Sequence, residues 1–81
     1  MKTEEEIFQI VRNIVASKAE LEESAIHMDS DFRNDLNISS IVIVSIVLSV
    51  ETEFDLEISD EEIVALAKIG DAVRFISEKQ T

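Results

Sequence analysis

No proline occurs in this chain, and its only glycine is Gly70. Tight hairpins draw on these two residues for their turns, so their scarcity favours an all-α fold before any periodicity is counted. The 81 residues are expected to form a single domain, 1–81, near the lower limit at which a hydrophobic core holds a fold alone. That size leaves no room for an enclosed active site with a second lobe.

Capping signals and helical spacing divide the chain. Thr3 followed by Glu6 is a capping box, and Ile7, Ile10, Val11, Ile14 and Val15 recur behind it at helical spacing. The first helix is expected to reach about Ser17, with Lys18 to Glu23 able to extend it. A long loop pinned by Ile26, Phe32 and Leu36 follows from about Ser24 to Ile38, and a loop of that length in a small domain is usually functional or held by its own side chains. Ser39 or Ser40 opens a second helix ending near Phe54-Asp55. Ser59-Asp60-Glu61-Glu62 is a further capping box, predicting a short third helix to about Ala67. Ala72, Val73, Phe75 and Ile76 mark a last helix after Gly70. The expected architecture is a small four-helix bundle with a long loop between helices one and two.

The second helix contains a conflict. Ile41-Val42-Ile43-Val44-Ser45-Ile46-Val47-Leu48-Ser49-Val50 is dominated by β-branched residues, which favour strands. Two observations turn the segment to helix: its apolar residues do not alternate, and no other segment offers a strand to pair with.

Charge and composition exclude several functions. Eighteen acidic residues against seven basic ones give a net charge of −11, which opposes binding to nucleic acid or anionic membranes. The same charge suits docking to basic protein patches, and it also serves plain solubility. With no cysteine there are no disulfides or thiolate metal sites. Apolar runs such as Ile41–Val44 fall far short of a membrane span, and the acidic start Met1-Lys2-Thr3-Glu4-Glu5-Glu6 lacks a signal-peptide layout. A cytoplasmic monomer is expected.

The segment Asp35-Leu36-Asn37-Ile38-Ser39-Ser40-Ile41 resembles the hallmark Asp-Leu-Gly-x-Asp-Ser-Leu of acyl carrier proteins and related peptidyl carrier domains. The resemblance extends through nearly the whole chain. Phe32 matches a loop phenylalanine, Glu53-Phe54-Asp55-Leu56-Glu57-Ile58 resembles Glu-Phe-Asp-x-Glu-Ile, Ser59-Asp60-Glu61-Glu62 resembles Pro-Asp-Glu-Glu, and Ala72-Val73-Arg74-Phe75-Ile76 resembles Ala-x-Asp-Tyr-Ile. The resemblance implies a non-enzymatic carrier with 4′-phosphopantetheine covalently attached to Ser40. The arm's thiol holds acyl or aminoacyl groups as thioesters. Its implied partners are a phosphopantetheinyl transferase and acyl synthases or transferases, in a specialised lipid or secondary-metabolite pathway. Cargo is expected to fold back between the helices, against Val47, Val50, Ile63 and Leu66.

A hydroxyl at a helix N-terminus suits this chemistry, because the unsatisfied amides and macrodipole favour a phosphate. On local sequence alone, Ser39 or Ser40 reads merely as an N-cap, as most serines before helices are, and it is the family-wide match that reverses this reading. Three departures from the family pattern stand out. Ser39 replaces the aspartate before the modified serine, which bears on recognition by a general holo-synthase. Asn37 replaces a glycine, and asparagine accepts left-handed backbone better than most residues. Ile38, bulkier than usual, is expected to cover the base of the arm.

Leu36 to Val50 carries no charge, whereas related carriers place acids along this helix for basic patches to read. Family register puts such acids at Val42 and Ser45, both neutral here; acidity returns at Glu51 and Glu53. Ile43, Ile46, Val47, Val50 and Phe54 form the expected core stripe. Ile41, Val44 and Leu48 form a second stripe, which is either a docking surface continued by Glu51 and Glu53 or is covered by the long loop. An alternative function is a degenerate, non-carrier interaction module that docks through this apolar face, with the serines acting only as caps.

Other constellations are weak. His27 has no partner for a catalytic relay and is expected on a surface loop. Asp29, Asp31 and Asp35 hint at a calcium loop, but Arg33 occupies a ligand position, the sharp turn has no glycine, and Ser40 stands where a glutamate should close the site. No metal site is assigned.

Overall fold

The computed structural model describes residues 1–80 as four α-helices: α1 Glu4–Ala19, α2 Ser40–Phe54, α3 Asp60–Ala65 and α4 Ile69–Lys79, with a 3-10 turn at Glu23–Ala25. The all-α bundle with an outsized first connection is the architecture expected from the sequence.

The caps act where the sequence places them. In α1, Thr3 Oγ1 accepts from the Glu6 amide at 3.2 Å, and Glu6 Oε1 accepts from the Thr3 amide at 2.8 Å. Ser59 and Glu62 repeat the exchange ahead of α3, at 3.2 and 2.8 Å. Helix α1 runs past Ser17 to Ala19 and stops there because Glu20 turns left-handed, at φ 57°. It therefore does not extend to Glu23. Helix α3 stops at Ala65, two residues before the expected end, where Leu66 adopts extended backbone.

Helix α4 begins at Ile69, so Gly70 lies inside its first turn instead of ahead of it. The reason is the long loop. Gly70 N donates to Met28 O at 2.7 Å, Ile69 N to Ser30 O at 2.9 Å, and Phe32 N to Ala67 O at 3.0 Å. The loop thus lies against the start of α4, joined by a single antiparallel bridge between Asp31 and Lys68.

Helix α1 packs against both α2 and α4. The core holds Ile7, Val11 and Val15 of α1, Ile46 and Val50 of α2, and Ile69, Ala72, Val73 and Ile76 of α4. From the loop come Ile26, Phe32 and also Ile38, which the sequence placed over the arm. Ile38 is 5% exposed; its amide donates to Phe32 O at 2.9 Å, and this bond turns its side chain into the core. Burial of these side chains is what overrides the strand preference of α2.

Candidate functional site

The two serines divide the work at the start of α2. Ser39 has extended backbone (φ −74°, ψ 162°) and is the N-cap, its Oγ accepting from the Val42 amide at 3.4 Å. Ser40 is the first helical residue and is exposed, and its hydroxyl has no hydrogen-bond partner among the described residues. The capping duty that could have claimed either hydroxyl falls on Ser39. The first turn of α2 contains no acid, in contrast to α1 and α3. A phosphate ester at Ser40 would therefore meet the positive end of a helix without a neighbouring carboxylate of that turn.

The loop before the serines is held by its own acids. Asp31 Oδ1 accepts from the Arg33 and Asn34 amides, both at 2.9 Å, and Asp35 Oδ2 accepts from the Asp31 amide at 2.7 Å. The amide bonds from Asn34 and Arg33 hold the Asp31 carboxyl below its ordinary range, with a smaller contribution from the Lys68 charge. These carboxylates close a turn. Asn37 then takes φ 56°, the left-handed conformation for which the family pattern uses glycine. His27 is exposed on the loop.

A cavity of about 370 Å³ opens along the inner side of α2. Its lining includes Val47, Val50, Ile63 and Leu66, the four residues expected to shelter cargo, together with Ile43, Ile46, Ile58 and Phe75. Ser40, Ile43 and Val47 fall at i, i+3 and i+7, so the Ser40 hydroxyl and this part of the cavity wall share one row of the helix. Asp31, Arg33 and Asn34 supply polar groups to the lining. The residues fit a serine-linked arm: an accessible hydroxyl with no competing bond, and an apolar space along the same row.

The outer side of α2 is uncovered. Ile41 is 83% exposed, Val44 53% and Leu48 58%, so the long loop does not shield the second stripe. Val42 is half-buried against the core, so a partner reaches less of it than family register suggests. Glu51 is also half-buried, and its Oε2 accepts from the Ile58 amide at 2.8 Å, bracing the turn into α3. Glu53 is exposed, beside a groove between α1 and α2 lined by Ile14, Lys18, Ser45, Leu48, Ser49 and Thr52.

Two features escaped the sequence. Val64, 85% exposed, stands at the cavity from the α3 side, and Arg33 reaches it from the loop. Val64 could have been suspected as the apolar neighbour of Ile63 on the same short helix. Arg33 carried no such signal, because its position depends on how the loop pairs with residues far along the chain.

The family described as phosphopantetheine attachment site matches residues 9–76. An acyl carrier protein from Prochlorococcus marinus (strain MIT 9515) is 41% identical over 78 residues, covering 96% of this chain and 98% of that protein. The chain belongs to the acyl carrier protein family. Acyl carrier proteins are carriers, not enzymes, and their 4′-phosphopantetheine is held covalently. Among the described residues of this acyl carrier protein, no helix is long and apolar enough to cross a membrane.

Proposed function

We propose that this carrier bears 4′-phosphopantetheine on Ser40 and presents acyl intermediates as thioesters to successive enzymes. The observation that supports Ser40 is the division of labour at the helix start: Ser39 caps, and the Ser40 hydroxyl stays exposed and without a bond. When bound, the arm supplies a thiol that carries the acyl group. The chain supplies the anchor, the positive helix end for the phosphate, and the cavity that keeps water from an apolar cargo. That lining is chiefly apolar, with Ile43, Val50, Leu66 and Phe75 against the single carboxylate of Asp31, and it suits an apolar acyl cargo better than a charged aminoacyl one.

Residues 1–81 act as a single carrier domain, a cytoplasmic monomer modified by a phosphopantetheinyl transferase and served by acyl synthases or transferases. Ile41, Val44 and Leu48 are its docking face, with Glu53 and the remaining oxygen of Glu51 at one edge. The uncharged stretch of α2 from Ser40 to Val50 sets it apart from carriers read through acids, which supports service in a specialised lipid or secondary-metabolite pathway. Co-expression with a permissive transferase is expected to add one phosphopantetheine by mass. Ser40→Ala should abolish the addition with the helical spectrum unchanged. Modification that survives Ser40→Ala and is lost in Ser39→Ala would assign the arm to Ser39. No modification of the parent protein would favour the non-carrier docking module.

A further inference from the structure

Among the described residues, two of the chain's three arginines and one of its four lysines pair with its own carboxylates. Arg12 pairs with Glu23, Arg74 with Asp71 and Lys79 with Glu62. Arg33 does not: it is exposed, and among the described residues its guanidinium has neither an ion pair nor a hydrogen bond. Its backbone, by contrast, is tightly held. The Asp31 carboxylate takes the Arg33 and Asn34 amides, and the Phe32 amide is bonded to Ala67 O at 3.0 Å. The fixed backbone holds this uncommitted, solvent-exposed cation where a group that is not part of the chain could meet it.

Its position indicates what that is. The Ile38 amide donates to Phe32 O at 2.9 Å, tying the loop to the approach of α2. Arg33 is the residue after one end of that bond, and Ser40 is the second residue after the other. Arg33 lines the same cavity as Ile43 and Val47, which lie on the helical row that begins at Ser40. An arm that leaves Ser40 along this row reaches a cavity that Arg33 also lines. The first turn of α2 has no acid, and the one carboxylate of the cavity lining, Asp31, is engaged by the Arg33 and Asn34 amides.

We propose that Arg33 is a positioning residue for the arm, pairing with the phosphodiester at Ser40 and holding the arm along the Ile43–Val47 row while cargo is sheltered. The inference rests on the assignment of Ser40 made above. A guanidinium suits the role because its fixed fork of donors matches phosphate oxygens two at a time. The pair must also be weak enough to open when an enzyme draws the arm out, and an exposed ion pair meets that requirement.

The test uses the full-length protein with an octanoyl group on the arm and no partner enzyme. The mass is checked first, then the ³¹P resonance of the phosphodiester is followed with salt, and the rate of thioester cleavage by hydroxylamine is measured. Arg33→Gln is expected to move the resonance, remove its salt dependence and speed cleavage about two- to fivefold, the range open to an exposed pair. Arg33→Lys should fall between, and the melting midpoint should stay that of the parent. A resonance and cleavage rate in Arg33→Gln equal to the parent's at low salt would overturn the proposal and leave Arg33 to a partner's acidic surface. If the parent takes up no arm, or Ser40→Ala takes one up, the assignment of Ser40 fails, and the mass reveals this before hydroxylamine is added.

Discussion

Gly70 donates its amide to Met28 O at 2.7 Å, and a Cβ added at Gly70 would stand 2.9 Å from that same oxygen. The start of α4 and the long loop therefore meet backbone to backbone at this point, with no space for a side chain. Through the neighbouring bonds Ile69–Ser30 and Phe32–Ala67, this contact sets where the loop delivers Asp31, Arg33 and the serines.

Gly70→Ala pits two effects against each other. Alanine in place of glycine in a helix normally adds about 1 kcal/mol of stability. Against it, the contacting atom is a backbone oxygen that cannot rotate away, and overpacking of this kind costs about 1 to 3 kcal/mol. Net destabilisation is expected, seen as a melting midpoint lowered by several degrees, with faster amide exchange at Met28 to Phe32. A raised midpoint would show that the loop yields freely.

The contrast between what the sequence disclosed and what it hid follows from the range of the interactions involved. The boxes at Thr3–Glu6 and Ser59–Glu62 are local, and both are present as read. The left-handed Asn37 and the exposed row Ile41, Val44 and Leu48 follow from backbone preference and helical spacing, which are local too. Gly70 read as a boundary because glycine usually ends or precedes helices; its actual role is a close approach to a residue far away in the chain. Ile38 lies outside any periodic segment, so nothing local marked it as core. Arg33 and the Glu51–Ile58 brace likewise depend on tertiary placement.

Ser39→Asp is expected to stabilise the protein modestly. The Ser39 cap bond is long at 3.4 Å, and the first turn of α2 has no acid to meet the helix dipole. A carboxylate there should add about 0.3 to 1 kcal/mol, more at low salt than at high. The same change supplies the aspartate of the family motif, so a general holo-synthase should load the variant faster. Faster loading without a higher midpoint would separate recognition from capping.

Acid should destabilise the fold through its caps. Backbone amide bonds, from Thr3 to Glu6, from Asn34 to Asp31, from Ser59 to Glu62 and from Lys68 to Asp71, hold these four carboxyls below their ordinary range. A carboxyl depressed in the folded state contributes stability above its unfolded pKa and loses it as pH falls through the folded one. The melting midpoint should therefore drop as pH falls below about 4.5. Glu62→Gln, which keeps an oxygen for the Ser59 amide, should make that drop shallower. The opposing effect is relief of self-repulsion in a chain of charge −11. A midpoint that climbs steadily on acidification would show that repulsion outweighs the caps.

Partner choice should run through apolar contact on α2 rather than through acids. Ile41, Val44 and Leu48 are exposed, no charge lies along the helix before Glu51, and one oxygen of Glu51 is already taken by Ile58. A partner reading this face must bury apolar area, and that contribution responds little to ionic strength, whereas an acidic address weakens steeply with salt. Leu48→Asp should leave the bundle folded, because Leu48 is 58% exposed, and should weaken binding of the cognate enzyme about 5- to 30-fold. Val50→Asp, at a position 5% exposed, buries a charge and should cost about 4 kcal/mol or more, enough to unfold so small a core. The informative measurement is affinity of the arm-free protein for that enzyme at low and physiological salt, so that the arm itself does not contribute. A steep loss with salt, alongside full binding by Leu48→Asp, would return the address to Glu53 and the neighbouring acids.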